Sequence, residues 1–236
     1  MIGFYDYTVI LTYLSMISAT CGIILCLNSV GHPYIGMLFL LLCGLCDAFD
    51  GKVARTKKNR TERMKKFGIQ IDSLSDLIAF GVLPACIGIA MMRSSIYYET
   101  LPSTIFFIKL TERDTGIKVV ITMIALFYTL AALIRLAFFN VLEEERNEAE
   151  ETGPRYFHGL PVTSAALVFP TVLLCHIVFS MDLTYLYSVL MAVMGILFIS
   201  DIKVKKPTTK DIIAMIAFGA VEAIVLGLIF IFLKNR

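Results

Sequence analysis

Residues 33–56 read PYIGMLFLLLCGLCDAFDGKVART, an apolar run that ends in acidic and basic side chains. A helix needs roughly 20 apolar residues to cross the ~30 Å hydrocarbon core of a bilayer. The run is too long for a strand of a membrane barrel, and its apolar residues do not alternate with polar ones. It is therefore predicted to be a membrane-spanning helix, in which the backbone hydrogen bonds close internally.

The composition of the whole chain agrees with this prediction, because 58% of the residues are hydrophobic and only 17% are charged. This hydrophobic fraction is higher than the core of a soluble protein requires. Seven runs are candidate spans: residues 7–30, 33–56, 69–92, 117–141, 160–181, 183–201 and 211–233. We predict an all-α fold, a polytopic transmembrane helix bundle with a six-span core and a seventh span. The corresponding domains are a membrane domain at 1–206 and an additional C-terminal transmembrane helix at 207–236.

The basic residues predict the orientation, because short loops rich in Lys and Arg stay in the cytoplasm. They cluster after the second and the sixth run: Lys57, Lys58, Arg60, Arg63, Lys65 and Lys66, then Lys203, Lys205, Lys206 and Lys210. Both clusters are expected to face the cytoplasm, together with residues 142–158. With seven spans, the amino terminus then lies inside and the carboxy terminus outside.

The same features predict the cellular location and the class of partner. The amino terminus lacks a basic patch and a small-residue cleavage site, so the first run is expected to be a retained span rather than a cleaved signal. Basic loops at a membrane surface suit anionic lipid head groups or phosphates. We therefore expect an integral, multi-pass protein of the cell membrane that binds membrane lipid and no nucleic acid.

Four acids lie at the adjoining ends of two of these runs. Asp47 and Asp50 are three residues apart and Asp72 and Asp76 are four apart, so on helices each pair occupies one face. Ionisable side chains in a membrane span are costly unless they pair, bind metal or face water. Carboxylate oxygens suit hard cations such as Mg²⁺, Mn²⁺ or Ca²⁺ rather than zinc, so one or two such ions are predicted. The alternative is a set of salt bridges to nearby cations: Lys52, Arg55 or Arg135.

Small residues beside the acids predict a second function for this region. Gly51 and Ala54 carry little bulk, so a phosphorylated group can approach the backbone closely, and Arg55 can bind a phosphate through two hydrogen bonds. Together these residues predict a pocket for a nucleotide diphosphate. The alternative is that Gly51 and Ala54 pack helices together and that Gly68 marks the turn where the next helix begins.

The pattern Asp47-x-x-Asp50-Gly51-x-x-Ala54-Arg55, followed by Gly68-x-x-x-Asp72-x-x-x-Asp76, resembles the signature of the CDP-alcohol phosphatidyltransferases. These integral membrane enzymes join a CDP-linked lipid to an alcohol. Residues 67–85, 134–140 and 157–162 look like the corresponding segments of the phosphatidylserine synthases in that family. The resemblance covers about residues 8–206. The chain departs from the pattern in a longer gap between Arg55 and Gly68, and in having Ser15, Ser18 and Phe139 where Thr, Asn and Arg are expected.

The resemblance implies transfer of a phosphatidyl group from CDP-diacylglycerol to the hydroxyl of L-serine, giving phosphatidylserine and CMP. Mg²⁺ or Mn²⁺ is the implied cofactor, as one or two ions, and Ca²⁺ is expected only as a non-physiological occupant. The implied metal ligands are the four acids: Asp47, Asp50, Asp72 and Asp76. Asp76 is also implied as the general base that takes the serine proton. The implied nucleotide-binding residues are Asp47, Gly51, Ala54, Arg55 and Gly68.

The resemblance also implies residues for the remaining substrate groups. Arg135 and Asn140 are expected to bind the serine carboxylate or the lipid phosphate, and Gly159 and Pro161 to shape the facing loop. His158 is a candidate for contact with the substrate, the alternative being an ordinary loop histidine. A homodimer is implied by the resemblance alone.

Two kinds of alternative function stay open. Within the same reaction, the acceptor alcohol is inositol phosphate, glycerol phosphate or choline, or the lipid donor is the ether lipid CDP-archaeol. From another class, the chain is a divalent-cation transporter with acids at mid-membrane. The sequence favours the enzyme, because the acids gather at the ends of two neighbouring runs beside Gly51, Ala54 and Arg55.

Overall fold

The computed structural model describes residues 3–28, 33–94, 115–148, 156–178, 182–205 and 209–234. Within these ranges the chain is almost entirely helical, which confirms the predicted fold class. Its helices are α1 (Ile10–Leu27), α2 (Pro33–Thr56), α3 (Glu62–Asp76), α4 (Leu83–Ser94), α5 (Thr115–Glu148), α6 (Ala165–Val178), α7 (Thr184–Ile199) and α8 (Thr209–Lys234).

Among the described residues, five segments are long and apolar enough to cross a membrane: Tyr7–Leu27, Pro33–Thr56, Glu62–Arg93, Thr115–Arg146 and Asp211–Leu228. The fifth and sixth predicted spans form shorter apolar helices than expected. Pro161 has an extended backbone, so helical structure begins only at the 3₁₀ turn Val162–Ser164 that precedes α6. The backbone N–H of Leu160 bonds to the carbonyl of Leu197 in the last turn of α7 (3.1 Å), which ends that helix.

Helices α3 and α4 form one continuous rod that is interrupted by the π-helical segment Leu77–Val82. A π turn inserts one extra residue, so α4 presents a different face from the one that carries Asp76. In an α-helix the Phe80 carbonyl would accept from the N–H of residue 84, but that residue is Pro84, which has no N–H. The Tyr128 hydroxyl on α5 donates to the Phe80 carbonyl (2.6 Å). Two further hydroxyls bond to the same rod: Thr129 to the Gly81 carbonyl (3.2 Å) and Tyr187 to the Pro84 carbonyl (2.8 Å).

The core lies where the long helices meet, and several aromatic side chains pack against one another there. The ring of Tyr128 lies 5.7 Å from that of Phe169 and 5.4 Å from that of Phe198. Tyr187 packs against Phe169 with the ring centroids 4.6 Å apart. These contacts join α5, α6 and α7, so the carbonyl-binding hydroxyls of Tyr128 and Tyr187 are held rigidly against the α3–α4 rod.

The polar connections gather at one end of the bundle. Lys57 bonds to Asp6 before α1 (2.8 Å), and Lys66 of α3 pairs with Glu144 near the end of α5 (3.2 Å). Strand β1 (Tyr156–His158) pairs antiparallel with β2 (Lys203–Lys205), which follows α7. The described parts of the two basic segments are therefore brought to the same side, and Lys206 lies outside the described residues. That this side faces the cytoplasm stays a prediction.

Candidate active site

Helix α1 holds the two acid-bearing helices in place. It packs against both α2 and α3. The Ser18 hydroxyl of α1 donates to the Phe39 carbonyl of α2 (3.2 Å), and the Ser75 hydroxyl of α3 donates to the Thr12 carbonyl of α1 (3.2 Å). Ser75 is the neighbour of Asp76, so the second hydrogen bond sets the position of that acid directly.

The structure brings the four predicted acids together. The carboxyl groups of Asp50 on α2 and Asp72 on α3 lie close enough to interact directly. Asp47 interacts electrostatically with Asp72, and Asp76 interacts with all three of the others. Asp76 is the most enclosed member, with only 9% of its surface exposed. The acids of one helix thus face those of the other, as the spacing predicted.

This cluster fits a divalent cation in its chemistry. Carboxylate oxygens are the donors that Mg²⁺ and Mn²⁺ prefer. However, in the described parts of the chain no three His, Cys, Asp or Glu side chains converge closely enough to hold a metal ion. The metal site therefore stays a prediction.

Arg135 of α5 lies beside Asp76. Its side chain is buried, and it interacts electrostatically with that acid. Its Nε donates to the Leu160 carbonyl (3.2 Å), and its guanidinium lies over the Phe139 ring at 4.8 Å. Arg135 therefore links the acidic cluster to the segment that precedes α6. Phe139, which departs from the family pattern, contributes a surface on which the guanidinium stacks.

Asn140 lies near Asp72 through a contact that the sequence analysis did not anticipate. Its Nδ2 donates to the Ser73 hydroxyl (2.9 Å), and the hydroxyl lies 3.1 Å from Asn140 Oδ1. Ser73 follows Asp72 directly, and this adjacency was the only signal in the sequence that marked it. A cavity of about 420 Å³ opens beside Asn140 and Gln70, with acidic and basic side chains in its wall.

The predicted nucleotide-binding residues fall into two groups. Gly51 and Arg55 are exposed, and among the described residues a Cβ on Gly51 would meet only the Arg55 guanidinium, at 3.9 Å. This open space favours approach of a ligand over helix packing at Gly51. Ala54 is half-buried on the same helix.

Gly68 is different, because a Cβ there would lie 2.6 Å from Nη2 of Arg60. The alternative that Gly68 marks a helix start is wrong: α3 begins at Glu62, and the Thr61 hydroxyl accepts from the Met64 N–H as its N-cap (3.2 Å). Gly68 lies inside this helix and makes room for Arg60. That guanidinium in turn bonds to the Met64 carbonyl (3.3 Å).

The loop residues that precede α6 have a clear structural role. Gly159 has φ +76°, and a Cβ there would lie 2.6 Å from the Phe198 carbonyl oxygen. Its N–H donates to the Ile202 carbonyl (2.9 Å), so this segment packs on the end of α7. Pro161 directs the chain into α6. The backbone of His158 belongs to β1, but its side chain lies outside the described residues. Substrate contact by these three residues stays a prediction.

The family model of the CDP-alcohol phosphatidyltransferases matches residues 8–200. The chain belongs to this family. The match includes all four acids, Arg135, Asn140 and the loop before α6, and α8 lies beyond it. Members of the family generally use divalent metal ions, which agrees with the donor chemistry of the acidic cluster. The division into a domain at 1–206 and a separate helix at 207–236 stays a prediction.

Named relatives within the family are moderately similar. The CDP-diacylglycerol–serine O-phosphatidyltransferase of Saccharomyces cerevisiae is 35% identical over 166 residues, covering 66% of this chain and 50% of the relative. The enzyme of the same name from Methanocaldococcus jannaschii is 29% identical over 215 residues, covering 90% and 82%. The archaetidylserine synthase of Methanothermobacter thermautotrophicus is 31% identical over 155 residues, covering 65% and 53%. The chain therefore spans about half the length of the first and third of these relatives.

Proposed function

We propose that this protein transfers the phosphatidyl group of CDP-diacylglycerol to the hydroxyl of L-serine, with release of CMP. Membership of the family supports the reaction class, and the names of the relatives support serine as the acceptor. The observation that carries the proposal is the position of Asp76, which is buried and interacts with the three other acids and with Arg135. The position of the acids favours a phosphoryl-transfer enzyme over a cation transporter, because they gather beside Gly51, where the open backbone leaves space for a phosphorylated substrate.

In the proposed reaction the serine oxygen attacks the phosphorus that carries the diacylglycerol, and the bond from that phosphorus to the bridging oxygen of CMP breaks. A bound Mg²⁺ or Mn²⁺ would offset the negative charge that builds up on the phosphate oxygens. The side chains that would hold it are the four acids: Asp47, Asp50, Asp72 and Asp76. Asp76 takes the proton from the serine hydroxyl, a step that typically contributes ~10²–10⁴ in rate.

The remaining candidate residues bind and orient the substrates. Arg55 is exposed one turn beyond Gly51 and binds a phosphate of the CDP group through two hydrogen bonds. Arg135 interacts electrostatically with Asp76 and offers its positive charge to a substrate carboxylate or phosphate. Asn140, fixed by Ser73, offers its amide next to the acidic cluster. We propose that this site faces the cytoplasm and that the protein is a homodimer.

A second candidate donor is the ether lipid CDP-archaeol. It is favoured by one observation, the 31% identity to a relative named archaetidylserine synthase. Parallel assays with CDP-diacylglycerol and CDP-archaeol, each with serine, compare the two donors. The preferred donor is the one with the higher kcat/KM.

The proposed function is tested by serine-dependent CMP release from purified protein with CDP-diacylglycerol and Mn²⁺. We expect Asp76→Asn to lower kcat at least about 100-fold, because the amide cannot take a proton. Asp182→Asn is the matched control: Asp182 lies just before α7 and accepts from the Thr184 N–H (3.0 Å), and the side-chain oxygen of Asn can accept the same hydrogen bond. Its turnover should stay within about twofold of wild type.

Two results would refute the proposal. One is normal turnover by Asp76→Asn. The other is a wild-type protein that releases CMP with inositol phosphate, glycerol phosphate or choline but not with serine. Chelation of divalent ions with EDTA, followed by addition of Mg²⁺ or Mn²⁺, tests the metal requirement separately. Activity that survives chelation would contradict the proposed role of the cation.

A further inference from the structure

Helix α8 lies beyond the part of the chain that matches the family, yet it packs against α2 and α6. The three helices enclose an apolar groove of about 550 Å³. On α2 its wall runs from Leu38 to Ala48, and on α8 it runs from Ile212 to Ala223. Asp47 also lines the groove, so the groove leads directly into the acidic cluster.

The dimensions of the groove suit one hydrocarbon chain of one membrane leaflet. The lining of α8 covers eleven helical steps, about 16 Å at ~1.5 Å per residue. Half of the ~30 Å hydrocarbon core of a bilayer is ~15 Å.

A buried polar contact fixes α8 beside the deep end of the groove. Glu222, the neighbour of the lining residue Ala223, is only 2% exposed. Its Oε1 accepts from the Thr171 hydroxyl of α6 (2.6 Å), while its Oε2 has no hydrogen-bond partner among the described residues. An acid inside a spanning helix is costly and marks a functional or positioning role. Here the hydrogen bond joins α8 to α6 and keeps the groove closed on that side.

We propose that α8, with α2 and α6, forms the binding groove for one hydrocarbon chain of the lipid donor, and that Gly219 sets how large a chain it accepts. The inference rests on the proposed function, because it assigns the tail of the same CDP-linked lipid whose diphosphate lies at the acids. The occupant is the donor rather than bulk lipid, because the groove is continuous with Asp47. A mainly apolar groove with an acid at one end matches a lipid whose head group is bound through a cation.

Gly219 allows the groove to be filled without moving the backbone. A Cβ there would lie 3.5 Å from Leu167 Cδ2 and 3.8 Å from Leu41 Cδ2, which are ordinary contact distances. A leucine at this position therefore projects its branch into the groove. Gly227 is the matched control on the same helix, because a Cβ there has no atom of the described residues within 4 Å. Gly227→Leu adds the same apolar bulk away from the groove.

The experiment measures the dissociation constants of two donors, CDP-dioleoylglycerol and CDP-dihexanoylglycerol, for the full-length chain in lipid nanodiscs with Mn²⁺. A leucine displaces about three methylenes, each worth about fourfold in affinity. Gly219→Leu is expected to weaken binding of the dioleoyl donor at least about tenfold and of the dihexanoyl donor less than about twofold. Gly227→Leu is expected to leave both constants within about twofold of wild type.

Unchanged binding of the dioleoyl donor to Gly219→Leu overturns the proposal, and so does an equal loss for both donors. Ala220→Leu, which fills the same groove, is the second variant if Gly219→Leu does not fold. The binding measurement needs no serine, so it separates this inference from the proposed function. A chain-length-dependent loss in Gly219→Leu, with no CMP release by wild type with serine, supports the groove and contradicts the proposed reaction.

Discussion

The hydroxyl of Tyr128 is predicted to position Asp76 although it lies on another helix. It donates to the Phe80 carbonyl (2.6 Å) in the π segment that begins directly after Asp76. Tyr128→Phe removes one oxygen and leaves that carbonyl without its donor inside a fully buried contact. Leaving a buried acceptor unsatisfied costs about 1–3 kcal/mol. We expect a loss of this size in the free energy of unfolding.

The same substitution is expected to lower turnover. Phe80 lies four residues beyond Asp76, about 6 Å along the rod, so relaxation of the π segment changes the direction of the Asp76 carboxyl. A misplacement of about 1 Å at a reacting group costs up to about 100-fold. We expect kcat to fall at least about fivefold, with the KM for each substrate changed less than about twofold.

Tyr187→Phe is the matched control. The Tyr187 hydroxyl is equally buried and donates to the Pro84 carbonyl of the same rod (2.8 Å), but Pro84 lies twice as far from Asp76 along the helix. It should show a similar loss of stability with little change in kcat. Both quantities come from thermal unfolding and steady-state CMP release in the same nanodiscs. A kcat that falls equally in both variants would refute the positioning role, and an unchanged stability in Tyr128→Phe would refute the hydrogen-bond argument.

Two further substitutions test the loop before α6 and the amino-terminal contact. Gly159→Ala should destabilise the protein by at least about 2 kcal/mol in thermal unfolding, because φ is +76° and a Cβ would lie 2.6 Å from the Phe198 carbonyl oxygen. Its control, Gly227→Ala, should not destabilise the protein. The hydrogen bond from Lys57 lowers the pKa of Asp6 from 3.8 to about 2. This contact therefore stabilises the fold above about pH 4, and the stabilisation is lost as the pH falls through 2. Asp6→Asn should lower stability by about 1 kcal/mol or less at pH 7, and the difference from wild type should shrink at low pH; a difference that grows would contradict the assignment.

The predictions that held were those that rest on local pattern. The apolar runs marked the helices because burial in hydrocarbon depends on composition over about 20 residues. The spacings of Asp47 with Asp50 and of Asp72 with Asp76 placed each pair on one helical face, and the structure brings the two faces together. The alternative of a helix start at Gly68 was wrong because the cap is Thr61, which lies about two helical turns before that glycine.

The sequence by itself determined that this chain is a bundle of membrane helices with four acids on two of them, because hydrophobicity and helical spacing are properties of neighbouring residues. Only the tertiary structure decided that Arg135 lies beside Asp76, that Gly159 packs on the end of α7, and that Glu222 fixes α8 against α6. Each of these contacts joins residues far apart in the chain. Periodicity carries no information on which side chains meet across helices, since that depends on how their surfaces pack.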